Sequence, residues 1–431
     1  MTTTHRAIGA WFFVGACLAA PVRAEAEDFA NLTLHGFASQ GYLQSTDNNY
    51  ASLNTSEGTF AITEEALNIT AQPLPGLRIG AQLFARDFGP QGNHQVVMDW
   101  ALGDYRVADW FGVRAGKVKQ PLGLYNTVVD ADMARAEILQ PAGAYPISNR
   151  ELTNAFNGVD VYGTLTMGRA GSLDYEAWAG TIDLDDAYII GRFAKEGAAS
   201  GLNAFRPLRL TGLDYQVGTV TASMDHLYGG ALEWRPPIAG LRLRGSGLTA
   251  ESDFAVATTY TGFQGTIPLA IATRTNTDFK QRYVIFLSGE YQRGALRVSA
   301  EHVRGHNQQR GHISGLPFPV PELVAEQKPA STYGQVTYRF TERLQGSTYY
   351  SVSYNDREDK DGLKEVAAGR PDHHGWSKDF AVTGRIDINA HWLFKVEMHF
   401  LDGTAGLSSV ENPTGLTKNW RLFAAKTTFH F

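Results

Sequence analysis

Residues 77–86 read LRIGAQLFAR, and an apolar side chain occupies every second position of this stretch. Residues 392–400, WLFKVEMHF, repeat the pattern, with Leu393, Lys395, Glu397 and His399 in between. The same alternation recurs over residues 296–301, 335–340 and 380–388. Side chains of a β-strand point alternately to its two faces, whereas apolar positions on a helix recur about every 3.6 residues. The sequence therefore predicts two-faced β-strands along the chain.

The connections between these strands alternate strictly between short and long. The short ones are residues 73–76, 107–110, 168–171, 236–240, 292–294, 341–343 and 389–391. The long polar ones are residues 46–58, 88–94, 120–156, 182–222, 250–279, 305–330, 355–376 and 402–419. A soluble β-sandwich also alternates, but it has no reason to place every long loop at one end. We therefore predict an all-β fold, a transmembrane antiparallel β-barrel of about 16 strands, with long extracellular loops and with short turns and both termini in the periplasm.

Composition fits this fold. The 431 residues include 11% aromatics and 45 glycines, and the mean hydropathy is −0.23. Such a chain is polar on average but interrupted by short aromatic-rich segments, as expected when each strand faces lipid on one side and water on the other. No linker or shift in composition is visible, so we expect residues 25–431 to form a single barrel. The formal net charge of −6 argues against nucleic acid as a partner.

The N-terminus reads as a secretory signal. Arg6 precedes an apolar stretch from Ala7 to Ala20, and small residues surround position 24. About 14 apolar residues fall short of the roughly 20 that a membrane-spanning helix needs. We expect cleavage of residues 1–24, with a lipoprotein-type cut before Cys17 as the alternative. Cleavage after position 24 would remove the single cysteine and two arginines, which changes the net charge to −8, and we expect export to the outer membrane of a Gram-negative cell.

Aromatic residues mark the other end of the chain and the ends of strands. Phe429 and Phe431 share one face of the last predicted strand. A final strand that closes on a terminal Phe looks like the signal by which the barrel-assembly machinery recognises its clients. Other rings lie near strand ends, where interfacial girdles need them: Trp100, Trp234, Tyr291, Trp392 and Trp420.

Two segments carry a family resemblance. They are LHGFASQGYLQSTDNNY (residues 34–50) and RAGKVKQPLGLYN (residues 114–126). Both resemble bacterial outer-membrane porins related to the phosphate-selective (O/P-type) group, in which a strand ending in Gly-Lys-x-Lys-x-Pro-x-Gly enters the third extracellular loop. Residues 116–123, GKVKQPLG, fit that motif. The resemblance does not extend to phosphate specificity, because rows of basic residues do not dominate the predicted lumen.

The resemblance implies that the third long loop, residues 120–156, folds inward and narrows the pore; the alternative is a solvated surface loop. Strand alternation assigns ten basic and ten acidic side chains to the lumen face, Glu301 and Glu397 among the acids. Acids on the loop would face a basic arc on the wall and set up a transverse field. The candidate pore-lining residues are Arg78, Arg86, Arg114, Arg385, Lys395 and Lys426 on the wall and Asp130, Asp132 and Glu137 on the loop.

The leading functional hypothesis is a porin that passes ions and small hydrophilic solutes by diffusion. We expect contacts with outer-membrane lipid and lipopolysaccharide, and a homotrimer is one candidate assembly. No GxSxG or HExxH motif and no metal-ligand or cofactor motif is present, so we predict no enzymatic activity and no cofactor. The alternatives are a structural or adhesive barrel with a blocked lumen and, third, an outer-membrane enzyme.

Overall fold

The computed structural model describes residues 32–184, 188–202, 205, 209–316 and 319–431. The predicted signal sequence therefore lies outside the described residues. Over these residues the chain forms seventeen β-strands and three α-helices. No helix in this part of the chain is both long and apolar enough to cross a membrane.

The strands and helices have the following bounds. The strands are β1 (Thr33–Ser45), β2 (Thr63–Leu74), β3 (Leu77–Asp87), β4 (Val97–Ala108), β5 (Phe111–Lys119), β6 (Ala155–Thr166), β7 (Ser172–Thr181), β8 (Thr211–Arg235), β9 (Leu241–Gln264), β10 (Ile267–Arg293), β11 (Leu296–Ser314), β12 (Leu323–Gln327), β13 (Ala330–Arg339), β14 (Leu344–Tyr354), β15 (Trp376–Asp387), β16 (Trp392–Gly403) and β17 (Asn419–His430). The helices are α1 (Arg150–Thr153), α2 (Tyr188–Gly201) and α3 (Leu363–Ala367).

The strands close into a barrel. All pairings are antiparallel, and β1 pairs with β17 from Phe37 opposite His430 to Ser45 opposite Leu422. Strands β12 and β13 pair with successive parts of β11, and Pro329 lies between them, so the two share one position in the wall. A proline interrupts a ladder because it has no N–H to donate. The barrel therefore has sixteen strand positions, which confirms the predicted fold.

The two faces of the wall are inverted relative to a soluble protein. On β3, the outward Ile79 is 51% exposed, whereas the inward Phe84 is 1% exposed. On β16, Val396 is exposed at 40%, while its neighbours Lys395 and Glu397 point inward and are almost fully buried. An apolar outer face around a polar interior is the arrangement that a lipid solvent favours, since a charge on the lipid face costs about 2–4 kcal/mol at the bilayer midplane.

The short connections lie where the sequence predicted them. They are at the barrel end that also carries the last residue. We call this end the turn end and the opposite one the loop end.

Three predicted long loops are wrong in extent. Residues 250–279 form the upper parts of β9 and β10, joined by a two-residue turn in which Gly265 has a φ of +63°. Residues 211–222 belong to β8, and much of 305–330 belongs to β11 and β12.

The cause is the position of these strands relative to the membrane. Beyond the lipid layer the outer face of a strand is in water, so its side chains are polar and the segment looks like a loop. The inward positions of β9 nevertheless alternate Phe254, Val256, Thr258 and Tyr260, which are residue types with a high preference for strands.

Candidate functional site

The connection between β5 and β6, residues 120–154, lies against the lumen face of the wall; we call it the inner segment. It contains α1 and three single turns of 3-10 helix, Asn126–Val128, Asp132–Ala134 and Ile147–Asn149. Many of its side chains are buried, with Asp132 at 0% and Ile138 at 1% exposure. Residues 136–140 of this segment take part in no backbone hydrogen bond with described residues, so side chains of the wall must satisfy their polar groups.

The first attachment is a buried carboxylate between two lysines. Asp132 lies 3.0 Å from Lys395 Nζ and 3.3 Å from Lys426 Nζ, and it accepts a hydrogen bond of 2.6 Å from Thr428. Burial alone would raise the pKa of Asp132, but the two lysines outweigh it and lower the pKa below its usual range. Asp132 is therefore ionised, and it attaches the inner segment to the wall strands β16 and β17.

The second attachment uses a carboxylate of the wall. Glu397 accepts hydrogen bonds of 2.8 Å from the backbone N–H groups of both Ile138 and Leu139. Thr383 and His399 also donate to Glu397, at 2.7 and 2.9 Å. Charge-assisted bonds of this kind are roughly twice as strong as neutral ones, so Glu397 holds the middle of the inner segment.

Neighbouring polar groups support this attachment. Arg385 donates to the carbonyl oxygens of Met133 and Arg135, at 2.7 and 2.9 Å. On the inner segment, Glu137 accepts 2.5 Å hydrogen bonds from Gln335 and Ser347 of the wall. Strands β13 to β15 thus each supply a side chain that binds residues 133–137 of the inner segment.

The third attachment lies at Glu301 on β11. Its carboxylate accepts hydrogen bonds from the Leu124 N–H at 3.0 Å and from the hydroxyl groups of Tyr145 and Tyr333 at 2.5 and 2.6 Å. Burial and the adjacent Glu301 raise the pKa of Tyr145 well above its usual value, so its hydroxyl stays protonated as a donor. Both ends of the central part of the inner segment are therefore tied to β11.

A fourth contact lies near the root of the inner segment. Asp130 accepts a 2.6 Å hydrogen bond from Arg150 and a second one from Lys119, and Arg150 also reaches Asp99 on β4 at 2.5 Å. Burial opposes ionisation of Asp130, but the two cations lower its pKa. Nearby, Arg86 lies 3.5 Å from Glu151 and is buried.

The sequence-predicted residues thus occupy three different settings. Lys395, Lys426 and Arg385 contact the inner segment directly, so these cations of the expected basic arc do not face open water. Asp132 forms ion pairs with Lys395 and Lys426 of that arc, whereas Asp130 pairs with Arg150. On the turn side, Arg114 lies 2.8 Å from Asp160, and Arg78 lies 3.3 Å from Asp104 with 44% of its side chain exposed.

Sequence reasoning missed the anchoring roles of Glu301, Glu397, Tyr145 and Tyr333. Strand alternation places Glu301 and Glu397 on the inner face, but it carries no information about what they meet there. One signal was available in the sequence. The lumen face carries hydroxyl and carboxylate side chains, and the long loop is rich in small and apolar residues that could pack against them.

The inner segment separates two cavities. A cavity of about 1450 Å³ lies at the loop end, and Gln120, Leu122 and Asn126 contribute to its lining. A cavity of about 650 Å³ lies at the turn end, and Lys119, Pro121 and Thr127 contribute to its lining. Among the described residues, none lines both cavities. Alternate residues of one stretch therefore form the floor of the upper cavity and the roof of the lower one.

The lower cavity carries several charged side chains. It is lined by Arg78, Arg114 and Lys119 together with the acidic Asp130 and Glu176. Within the part of the chain that the structure describes, no group of three or more His, Cys, Asp or Glu side chains is placed to hold a metal ion.

Comparison with known proteins gives similarity at the level of structure. No family model and no curated sequence matches the chain. A Salmonella typhi OmpF structure in complex with daunomycin is 12% identical, with a TM-score of 0.53 over 93% of this chain and 97% of that one. The outer-membrane channel DcaP of Acinetobacter baumannii also matches, with 10% identity and a TM-score of 0.48 over 93% of this chain and 97% of that one. An anion-selective porin from Comamonas acidovorans matches with 12% identity and a TM-score of 0.46 over 93% of this chain and 99% of that one. The match to OmpF, at 12% identity, shows similarity of fold alone.

Proposed function

We propose that this chain is an outer-membrane porin that passes ions and small hydrophilic solutes by diffusion through a water-filled barrel narrowed by the inner segment. The observation that carries the proposal is a lower cavity lined by charged side chains inside a barrel of sixteen strand positions whose outer face is apolar. A barrel of this size leaves room for an aqueous channel. Structural similarity to OmpF is in keeping with this proposal.

The remaining parts of the proposal concern the cell. The proposal includes export by a cleaved signal sequence and insertion by the barrel-assembly machinery. It also includes contact with lipopolysaccharide and assembly as a homotrimer. Kinship with the phosphate-selective group rests on residues 34–50 and 114–126, and it implies no phosphate specificity. A structural or adhesive barrel with a blocked lumen is the competing function, and conductance separates the two.

The first test is single-channel conductance in a planar bilayer. We expect the wild-type barrel to conduct, and a variant in which a short Gly-Ser linker replaces residues 131–144 to conduct more, because the separating segment is gone. The matched control shortens the exposed outer loop at residues 363–370, which lines neither cavity, and should leave conductance unchanged. Folded wild-type barrels that never conduct would favour the blocked lumen, and equal conductance in all three proteins would contradict the constriction.

The second test concerns charge in the lower cavity. Arg78 lines this cavity and its side chain is 44% exposed, so an ion that passes meets its charge. Arg78→Gln should shift the reversal potential under a salt gradient toward cations. Arg106→Gln removes a similarly exposed arginine that does not line the cavity, and it should cause no shift. Equal shifts in both variants would remove Arg78 from the permeation path.

A further inference from the structure

The upper cavity is bounded by a structured wall that extends beyond the membrane. Helix α2 packs on the inner face of β8 and β9, where Ile189 and Ala198 are buried. The Tyr260 hydroxyl donates to the Ala198 carbonyl oxygen at 3.0 Å, and the Tyr260 and Phe205 rings lie 4.6 Å apart. This packing fixes α2 at the entrance, so the shape of the cavity is built into the fold.

Aromatic side chains line this cavity on several sides. Phe254 of β9 and Phe279 of β10 form an edge-to-face pair with ring centroids 6.2 Å apart. Phe193 of α2 also lines the cavity, and it is 44% exposed. An aqueous channel mouth gains nothing from exposed rings, whereas a solute with a flat apolar face can cover them and gain aromatic contacts.

Most charges of the lining are paired. Among the described residues it has five Arg, Lys, His, Asp or Glu side chains. Arg192 lies 3.9 Å from Glu196, and His399 lies 3.0 Å from Asp379. The fifth, Glu411, accepts a 2.5 Å hydrogen bond from Ser52. Among the described residues, Glu411 has no cationic partner, but the lining has no row of like charges that could replace the water of an ionic solute.

The lining also offers hydrogen-bond acceptors. Within the described structure, Gln120 Oε1 and Asn307 Oδ1 are buried and have no hydrogen-bond donor, and both residues line the cavity. Gln120 is fully buried, and its Nε2 is held by the Leu152 carbonyl oxygen at 3.0 Å, so the side chain is fixed at the floor. A buried acceptor without a donor is costly, and a solute O–H or N–H would satisfy it.

We propose that the upper cavity is a binding site for a small uncharged aromatic solute that carries at least one O–H or N–H donor. This inference rests on the proposed porin function, since it names the solute class that the channel concentrates above its constriction. The cavity, at about 1450 Å³, exceeds the roughly 300–1,000 Å³ of ordinary ligand sites. It can therefore hold such a solute together with water and release it toward the inner segment.

The probe is 4-hydroxybenzyl alcohol, added at the loop end of reconstituted channels. We expect it to cause concentration-dependent interruptions of the ion current, and to bind the detergent-folded barrel in equilibrium dialysis. Three matched compounds test the chemistry: the doubly O-methylated analogue lacks the donors, 4-hydroxybenzoate carries a charge, and myo-inositol lacks the ring. Each should bind several-fold more weakly, and equal binding of any of them would overturn the assigned class.

Variants locate the site. Phe193→Ser and Phe279→Ser should each weaken binding of the probe by roughly fivefold, the size expected for loss of one aromatic contact. Phe263→Ser is the matched control, because Phe263 is 46% exposed near the tip of β9 but lines neither cavity. Unchanged binding in both cavity variants would overturn the site. Binding without any conductance would refute the porin function and leave the site standing, whereas conductance without binding would refute the site alone.

Discussion

At the scale of single residues, the lumen depends on a small buried charge cluster. Asp132, Lys395 and Lys426 are each at most 2% exposed. The cost of removing them from water is offset by their mutual contacts and by the ion pair of Lys426 with Glu64. Removal of one partner from such a cluster costs about 3–5 kcal/mol, because the remaining charge stays buried without compensation.

Asp132→Asn should therefore release part of the inner segment while the barrel stays folded. We expect faster protease cleavage within residues 120–154 and a higher single-channel conductance. Asp361→Asn, in an exposed loop position, is the control and should behave as wild type. The double variant Asp132→Asn with Lys395→Met should recover part of the protection, since it removes one orphaned cation. Protection equal to wild type in the single variant would show that the cluster does not hold the segment.

The pH dependence of this contact follows from the lowered pKa of Asp132. A carboxyl group whose folded-state pKa is depressed contributes stability that is fully present above its unfolded pKa and is lost as the pH falls through the folded value. The ordinary value is 3.8, and the value in the barrel is lower. Conductance should thus show no release of the segment through Asp132 between pH 7 and about pH 5. A conductance rise in that window that Asp132→Asn abolishes would contradict this assignment.

At the scale of elements, the seam between β1 and β17 closes the wall. Gly36 and Phe431 exchange backbone hydrogen bonds of 3.2 and 3.0 Å. A Cβ on Gly36 would lie 2.8 Å from the Phe431 ring, so the glycine lets the last ring lie across the first strand. The seam therefore joins backbone pairing and aromatic packing at one point.

Deletion of Phe431 should sharply lower the amount of folded, heat-modifiable barrel in outer membranes. Both the seam hydrogen bonds and the proposed recognition by the assembly machinery are lost together. Phe431→Ala keeps the backbone pair and isolates the role of the ring. Phe340→Ala, which removes an exposed ring at a turn, should assemble normally. Wild-type amounts of folded protein after the deletion would remove both roles.

Strands and turns were predictable to different degrees. The alternation in residues 77–86 and 392–400 gives the correct faces, because a lipid exterior imposes one polarity on every outward position. The upper part of β9 escaped prediction, because water contacts its outer face and the outward residues there are small or polar. The inner segment is irregular, and its attachment to Glu301 and Glu397 depends on contacts far apart in sequence. The position of the inner segment inside the barrel could be predicted only from the resemblance of residues 114–126 to porins.

At the scale of the whole molecule, all long connections leave one end of the barrel. Epitope tags within residues 363–370 should be accessible to antibody on intact cells, because this loop lies at the loop end. A tag in the turn at residues 236–240 should become accessible only after the outer membrane is opened. Both tagged proteins must show wild-type heat modifiability. Surface labelling of the turn on intact cells would reverse the proposed orientation.

The pairing of β1 with β17 also constrains the timing of folding. Phe37 finds its partner His430 across almost the full length of the chain, and contacts between such distant residues form slowly. Until they form, a nascent chain presents two unsatisfied strand edges, which are sites for aggregation. A sheet with open edges also cannot satisfy its backbone groups in lipid. On the proposed route through the periplasm, we therefore expect the unfolded chain to need a chaperone that covers these edges, and we expect insertion to be nearly all-or-none.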